Sequence, residues 1–178
     1  FRRVLFRSFV ASRVLANGPV RVLFELDYDA FDVNGVKVTE TKRISLDAGS
    51  NLDHYQSTYR PAAPGALTVG VGLKKVAGAE KSLNAARGVL TLWEKVEKNQ
   101  GMQGIALVVD PKTFDKAAED SLNNLLLVKA SPANTVSYWA GFFWDKSGQF
   151  PSLQAFQAYV DQFAQGLQAP VSVKVTAE

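Results

Sequence analysis

His54, in Leu52-Asp53-His54-Tyr55, is the single histidine of the chain, and an imidazole is the ordinary side chain that changes charge near neutral pH. Alone it reads either as a general base or as a plain strand residue. Arg21, Glu25 and Asp27 are spaced so that a strand places them on one face, with Arg21 expected beside Glu25. Arg43 and Asp47 stand four residues apart on the following segment and extend the same patch. Such a patch is either a solvated outer face laced with cross-strand ion pairs or a site for a sugar carboxylate, which a guanidinium binds through two parallel hydrogen bonds. Tyr138, Trp139, Phe142, Phe143 and Trp144 make the densest aromatic stretch. Alternation sends Tyr138, Phe142 and Trp144 to one side and Trp139 and Phe143 to the other. One set is core, and Trp139 or Trp144 offers a ring on which a sugar can stack. Asp145-Lys146-Ser147-Gly148 is a turn that leaves Trp144 near a sheet rim.

Other chemistries lack their residues. With no cysteine, disulfides, thiolate catalysis and cysteine-based zinc sites are excluded. One histidine does not make a zinc cage, which wants three or four ligands, so no metal is expected. Gly70-Val71-Gly72 lacks the third glycine and the following helix of a dinucleotide fingerprint. No nucleophile elbow is present, and no cofactor is expected.

The elements that must carry these residues are mostly strands. Val20, Val22, Phe24, Leu26 and Tyr28 alternate with polar residues. Asn34-Gly35 follows, a pair suited to a two-residue type I′ turn because both positions need positive φ. Val36, Val38, Ile44 and Leu46 continue on the return strand, and Asp47 to Asn51 make a second turn. Leu52 to Arg60 reads as the third strand of a meander. Further strands are predicted at Leu67–Leu73, Gly88–Glu94, Ile105–Val109, Leu125–Lys129 and Thr135–Trp144, with a short helical turn at Asp115–Asp120. Ser152 caps one helix, on which Leu153, Phe156, Tyr159 or Val160, Phe163 and Leu167 repeat at helical spacing until Pro170. Val171, Val173 and Val175 alternate as a last strand. Short strands, frequent turns and one late helix predict an all-β, mainly antiparallel β-sandwich with a C-terminal α-helix.

The 178 residues fit one domain, and 47% are hydrophobic, enough for a sizeable core. No apolar run approaches the ~20 residues of a membrane-spanning helix. Phe1-Arg2-Arg3-Val4-Leu5-Phe6-Arg7-Ser8 reads like one frame of a sequencing-library adapter, so residues 1–8 are expected to be an artefact and 9–178 the C-terminal part of a single larger β-sandwich domain. Setting Arg2, Arg3 and Arg7 aside lowers the 20 basic residues to 17, equal to the 17 acidic ones. The pI near 9.1 then gives no ground for a nucleic-acid partner.

Several blocks resemble a known family. Asn17-Gly18-Pro19-Val20-Arg21, Phe24-Glu25-Leu26-Asp27-Tyr28, Ile44-Ser45-Leu46-Asp47-Ala48-Gly49-Ser50-Asn51, Tyr138-Trp139-Ala140-Gly141, Trp144-Asp145-Lys146-Ser147-Gly148 and the helix leading into Pro170-Val171 are similar, in order and spacing, to the domain of unknown function family numbered 4861. The resemblance implies half of a galactose-mutarotase-like supersandwich, a bacterial secreted or periplasmic setting and a place beside pectin- or ulvan-type degradation genes. It implies elimination of water from uronic-acid-containing oligosaccharides, with an oligosaccharide as ligand. Family members are about twice as long, so the N-terminal half of the same chain is an expected partner, and this segment alone is expected to be inactive. In that chemistry Arg21 or Arg43 would hold the carboxylate, with Glu25 beside them. His54 or Tyr55 would move protons, and Trp139 and Trp144 would stack on sugar. The alternative from another class is a non-catalytic carbohydrate-binding sandwich.

Overall fold

The computed structural model describes residues 9–174; the adapter-like segment 1–8 lies outside them. Eleven strands are described: β1 (Ala11–Asn17), β2 (Arg21–Val33), β3 (Val36–Asp47), β4 (Asp53–Pro61), β5 (Thr68–Lys74), β6 (Glu80–Asn84), β7 (Val89–Lys95), β8 (Met102–Val109), β9 (Phe114–Glu119), β10 (Asn123–Lys129) and β11 (Thr135–Trp144), followed by helix α1 (Leu153–Gln168). Eight of them form one sheet in the order β1-β2-β3-β4-β11-β8-β7-β6, and three form a second in the order β5-β10-β9. Every pairing is antiparallel. The protein is mostly β with one C-terminal helix, as its pattern predicts.

The β2–β3 hairpin turns at Asn34 (φ 52°) and Gly35 (φ 86°), the two positive values a type I′ turn requires. A bulge between Tyr28 and Phe31 shifts the phase of β2, so Phe31 joins Val38 on the face that Tyr28 and Glu40 also occupy. The middle of the large sheet is covered twice. Val89, Trp93, Ala106, Val108 and Phe143 meet Phe156, Val160 and Ala164 of α1. The intervening Leu90, Leu92, Leu107 and Val109 meet Val71, Leu73, Leu126 and Val128 of the small sheet. Burial of both faces explains why β7 and β8 read as nearly continuous apolar runs. Toward the β1 edge this cover thins: helix-side packing reaches Leu52 and Trp139, and small-sheet packing reaches Tyr59.

Four expectations change. Residues 115–119 are strand β9, paired to β10 from Asn124↔Glu119 to Leu126↔Ala117, because tertiary pairing overrides a weak local preference. β1 and β6 carry almost no buried positions; as edge strands they lack the alternation that reveals a half-buried one. Residues 171–174 form no strand, and Val171 and Val173 are 88% and 81% exposed, since no sheet edge receives them. Val175 lies outside the described residues. The helix buries Phe156 and Val160 fully, whereas Phe163 and Leu167 pack only at its margin.

Candidate functional site

Register sorts the candidate residues by face. Arg21 lies opposite Asp47, Glu25 opposite Arg43, Leu23 opposite Ser45, Ser45 opposite His54 and His54 opposite Trp139. Arg21, Glu25, Arg43, His54 and Trp139 therefore share the helix-side face of β2, β3, β4 and β11. Tyr55 and Trp144 project from the opposite face. Tyr55 stacks on Tyr138 at 4.9 Å with the rings 2° from parallel. Trp144 stands at the far rim, its indole N–H donating to the Gln100 carbonyl at 2.8 Å.

Glu25 is the pivot of the charged face and only 6% exposed. The Arg43 Nε and Nη2 groups donate to its Oε1 at 2.9 and 2.5 Å, and the Arg13 Nε donates to its Oε2 at 2.6 Å. Those hydrogen bonds, Arg43's first and Arg13's second, hold the Glu25 carboxyl below the usual carboxylate range against the opposing effect of burial. Arg21 does not reach Glu25, because four residues along a strand span about 13 Å. It grips Asp47 instead, Nε to Oδ1 at 2.5 Å and Nη2 to Oδ2 at 2.7 Å, and lowers that carboxyl too. Arg13 also approaches Asp27 at 3.2 Å. Thr41 Oγ1 donates to Asp27 at 2.8 Å and accepts from Arg60 Nη1 at 2.9 Å. Four arginines (13, 21, 43 and 60) thus face three acids (25, 27 and 47), leaving one positive charge on a ladder of mutually fixed planar groups. Arg13 escaped the sequence reading because it sits on the edge strand; the signal available was its register with Glu25, which only pairing reveals.

His54 lies flat against Trp139, ring centroids 4.6 Å apart at 15°, and Phe163 meets Trp139 edge-on at 6.0 Å. Burial lowers the His54 pKa first, the charge of Arg21 lowers it second, and Asp47 partly opposes them. The imidazole is therefore neutral at pH 7, and its buried Nε2 has no hydrogen-bond partner. The helix sets this geometry from a distance. Tyr159 Oη accepts the Asn51 backbone N–H at 2.9 Å. At Gly141 a Cβ would stand 2.1 Å from the Asn51 carbonyl, so only glycine lets the turn before β4 lie against β11. On the other side of β4, burial raises both the Asp53 carboxyl and the Tyr55 phenol. Among the described residues, no group of three or more His, Asp or Glu side chains could hold a metal ion. No described helix is long and apolar enough to cross a membrane.

Comparison with known proteins places the chain. It belongs to the family described as Domain of unknown function (DUF4861), whose profile matches residues 3–173. It is 30% identical over 175 residues to "Uncharacterized protein P7" of Formosa agariphila, an alignment that covers 95% of this chain and 43% of that protein. The chain thus spans less than half the length of the curated relative it matches. No solved structure matches.

Proposed function

We propose that the arginine-lined face of β1 to β4 is the substrate-facing side of a protein that acts on uronic-acid-containing oligosaccharides by elimination, as a dehydratase or lyase in the periplasm or outside the cell. The observation that carries this reading is the juxtaposition of the pre-set guanidinium ladder with a neutral, unpartnered His54 nitrogen stacked on Trp139. Guanidinium groups held by Glu25 and Asp47 keep a fixed orientation and still have exposed N–H groups, which suits a planar carboxylate. A base removes the proton α to that carboxylate, and the electron pair left on carbon is stabilised as an enolate by the adjacent cations. The double bond forms as the β C–O bond breaks, and an acid protonates the departing hydroxyl to water. His54 is the base on this face. Tyr55, on the reverse side of β4, is too badly directed to be the acid, so that role falls to the rest of a longer protein.

A second reading, a non-catalytic carbohydrate-binding sandwich, is favoured by the ion pairs that already engage Arg21, Arg43 and Glu25 and by the hold of Arg21 on Asp47, the acid whose charge reaches His54. The test incubates uronate oligosaccharides with the longer protein that carries this chain and follows the new ultraviolet-absorbing double bond. Elimination gives a chromophore that His54→Gln and Arg43→Lys abolish. Binding without any chromophore leaves the sandwich reading in its place.

A further inference from the structure

Away from the arginine face, the two sheets part company at one end. The tip of the β2–β3 hairpin and β4 form one wall, the starts of β5 and β10 the other, and between them lies a cleft of about 550 Å³. That size lies within the ~300–1,000 Å³ of small-molecule sites, and so does its mixture of apolar walls and a few polar groups. Val38, Val69 and Leu125 are among its apolar lining residues. Glu40 and Tyr59, directly opposite each other in the β3–β4 register, supply the polar end.

Glu40 marks the cleft as more than a packing gap. Its side chain is 11% exposed, and its Oε1 is buried with no hydrogen-bond partner. Lys42 Nζ stands 3.4 Å from that oxygen, an ion-pair distance that nevertheless makes no acceptable hydrogen bond. Lys42 is held instead over the Tyr28 ring, 5.3 Å from its centre. Tyr59 interacts with both Glu40 and Ser57; burial first and the Glu40 charge second push its phenol up. It therefore keeps its proton and can donate.

The charges of the lining select the ligand. Asp32, Glu40 and Asp120 all line the cleft, and no lysine, arginine or histidine does. A carboxylate ligand is repelled. A cationic amine would crowd Lys42, which already supplies the counter-charge to Glu40. What remains is a neutral molecule with hydroxyl donors at one edge and an apolar face for Val38 and Val69. We propose that this cleft is a second carbohydrate site, one that takes a neutral sugar ring with its hydroxyl donated to Glu40. Alternation puts Glu40 on the opposite side of β3 from Thr41 and Arg43, so the two sites lie on opposite faces of the sheet. The choice of a sugar among neutral polyols rests on the carbohydrate reading above; the cleft and its exclusion of anions do not.

Titration calorimetry and saturation-transfer NMR on this chain test it, with xylobiose and cellobiose as neutral probes and digalacturonate as the acidic one. The neutral probes are expected to bind. Glu40→Gln should weaken them tenfold or more, about the worth of one charge-assisted hydrogen bond. Thr68→Trp, a change at an exposed position of the cleft wall, should abolish binding without touching the core. Arg43→Gln should leave it unchanged. Neutral probes that fail to bind, that bind Thr68→Trp as well as the parent, or that are displaced by digalacturonate overturn the cleft proposal. Digalacturonate binding that ignores Arg43→Gln overturns the arginine-face reading and leaves the cleft result standing. Thermal melts of each variant separate lost binding from lost folding.

Discussion

Phe156 closes the contact that joins helix to sheet, and its removal should cost more than any other single truncation along α1. The ring is fully buried, stacked on Trp93 at 5.6 Å and tilted against Phe143 at 4.7 Å. A buried aromatic covers ~150–250 Å², and at ~25 cal/mol per Å² its loss forfeits roughly 4–6 kcal/mol, part of which the remaining methyl recovers. Phe156→Ala is therefore expected to lower stability by about 3–5 kcal/mol. Phe163 is only half-buried and meets Trp139 at its edge, so Phe163→Ala should cost about 1–2 kcal/mol, within the common range for single substitutions. Gly104 supplies an internal control. A Cβ there would stand 2.9 Å from three carbons of the Phe156 ring, so Gly104→Ala overpacks the site by about 1–3 kcal/mol. In the Phe156→Ala background that clash has no partner, and the double-mutant cycle should show coupling of about 1–3 kcal/mol. Urea unfolding followed by tryptophan fluorescence reads the parent and all four variants, since Trp93 lies in this core. Equal losses for Phe156→Ala and Phe163→Ala, or the same cost for Gly104→Ala in both backgrounds, would refute the packing account.

Three further outcomes are expected. The folded-state pKa of His54 lies below its ordinary value, so the unfolded chain binds the extra proton and His54 lowers stability as pH falls below about 6.5; NMR titration should place its midpoint under that value, and Arg21→Gln should move the midpoint upward. Glu119 is lowered to about 2, first by hydrogen bonds from Lys75 and then from Lys81, so its carboxyl signal should titrate near 2 and return toward the usual carboxylate range in a Lys75→Gln, Lys81→Gln double variant. Gly88 has φ 63°, and a Cβ there would meet the Val109 carbonyl oxygen at 2.4 Å; Gly88→Ala should lower the melting temperature, whereas the same change at exposed Gly166, which has open space around it, should hold or raise it.

Local periodicity carried a large share of the architecture. The period-two runs around Asn34-Gly35 dictate the β2–β3 hairpin, because a pair that tolerates positive φ between alternating segments has few other solutions. Ser152 and the Phe156–Val160 spacing dictate the helix in the same way: the Ser152 hydroxyl accepts the Ala155 N–H at 3.2 Å, and the two apolar residues are its most buried large side chains. Alternation also fixed that Trp139 and Phe143 oppose Tyr138, Phe142 and Trp144. It could not say which strand lies beside which, and every property of the candidate sites depends on that. Pairing β1 with β2 brings Arg13 to Glu25, pairing β2 with β3 gives Arg21 to Asp47 rather than to Glu25, and pairing β4 with β11 lays His54 on Trp139. Residues 115–119 became a strand, and 171–174 did not, because the first found a partner edge at β10 and the second found none. The cleft at Glu40 arises from where a three-stranded sheet stops short of an eight-stranded one. Sequence acts through neighbours a few residues apart and so determines turns, faces and helix stripes; the partners of a charge, the cover over a face and the gap between two sheets come from residues far apart in the chain, and only the tertiary structure decides them.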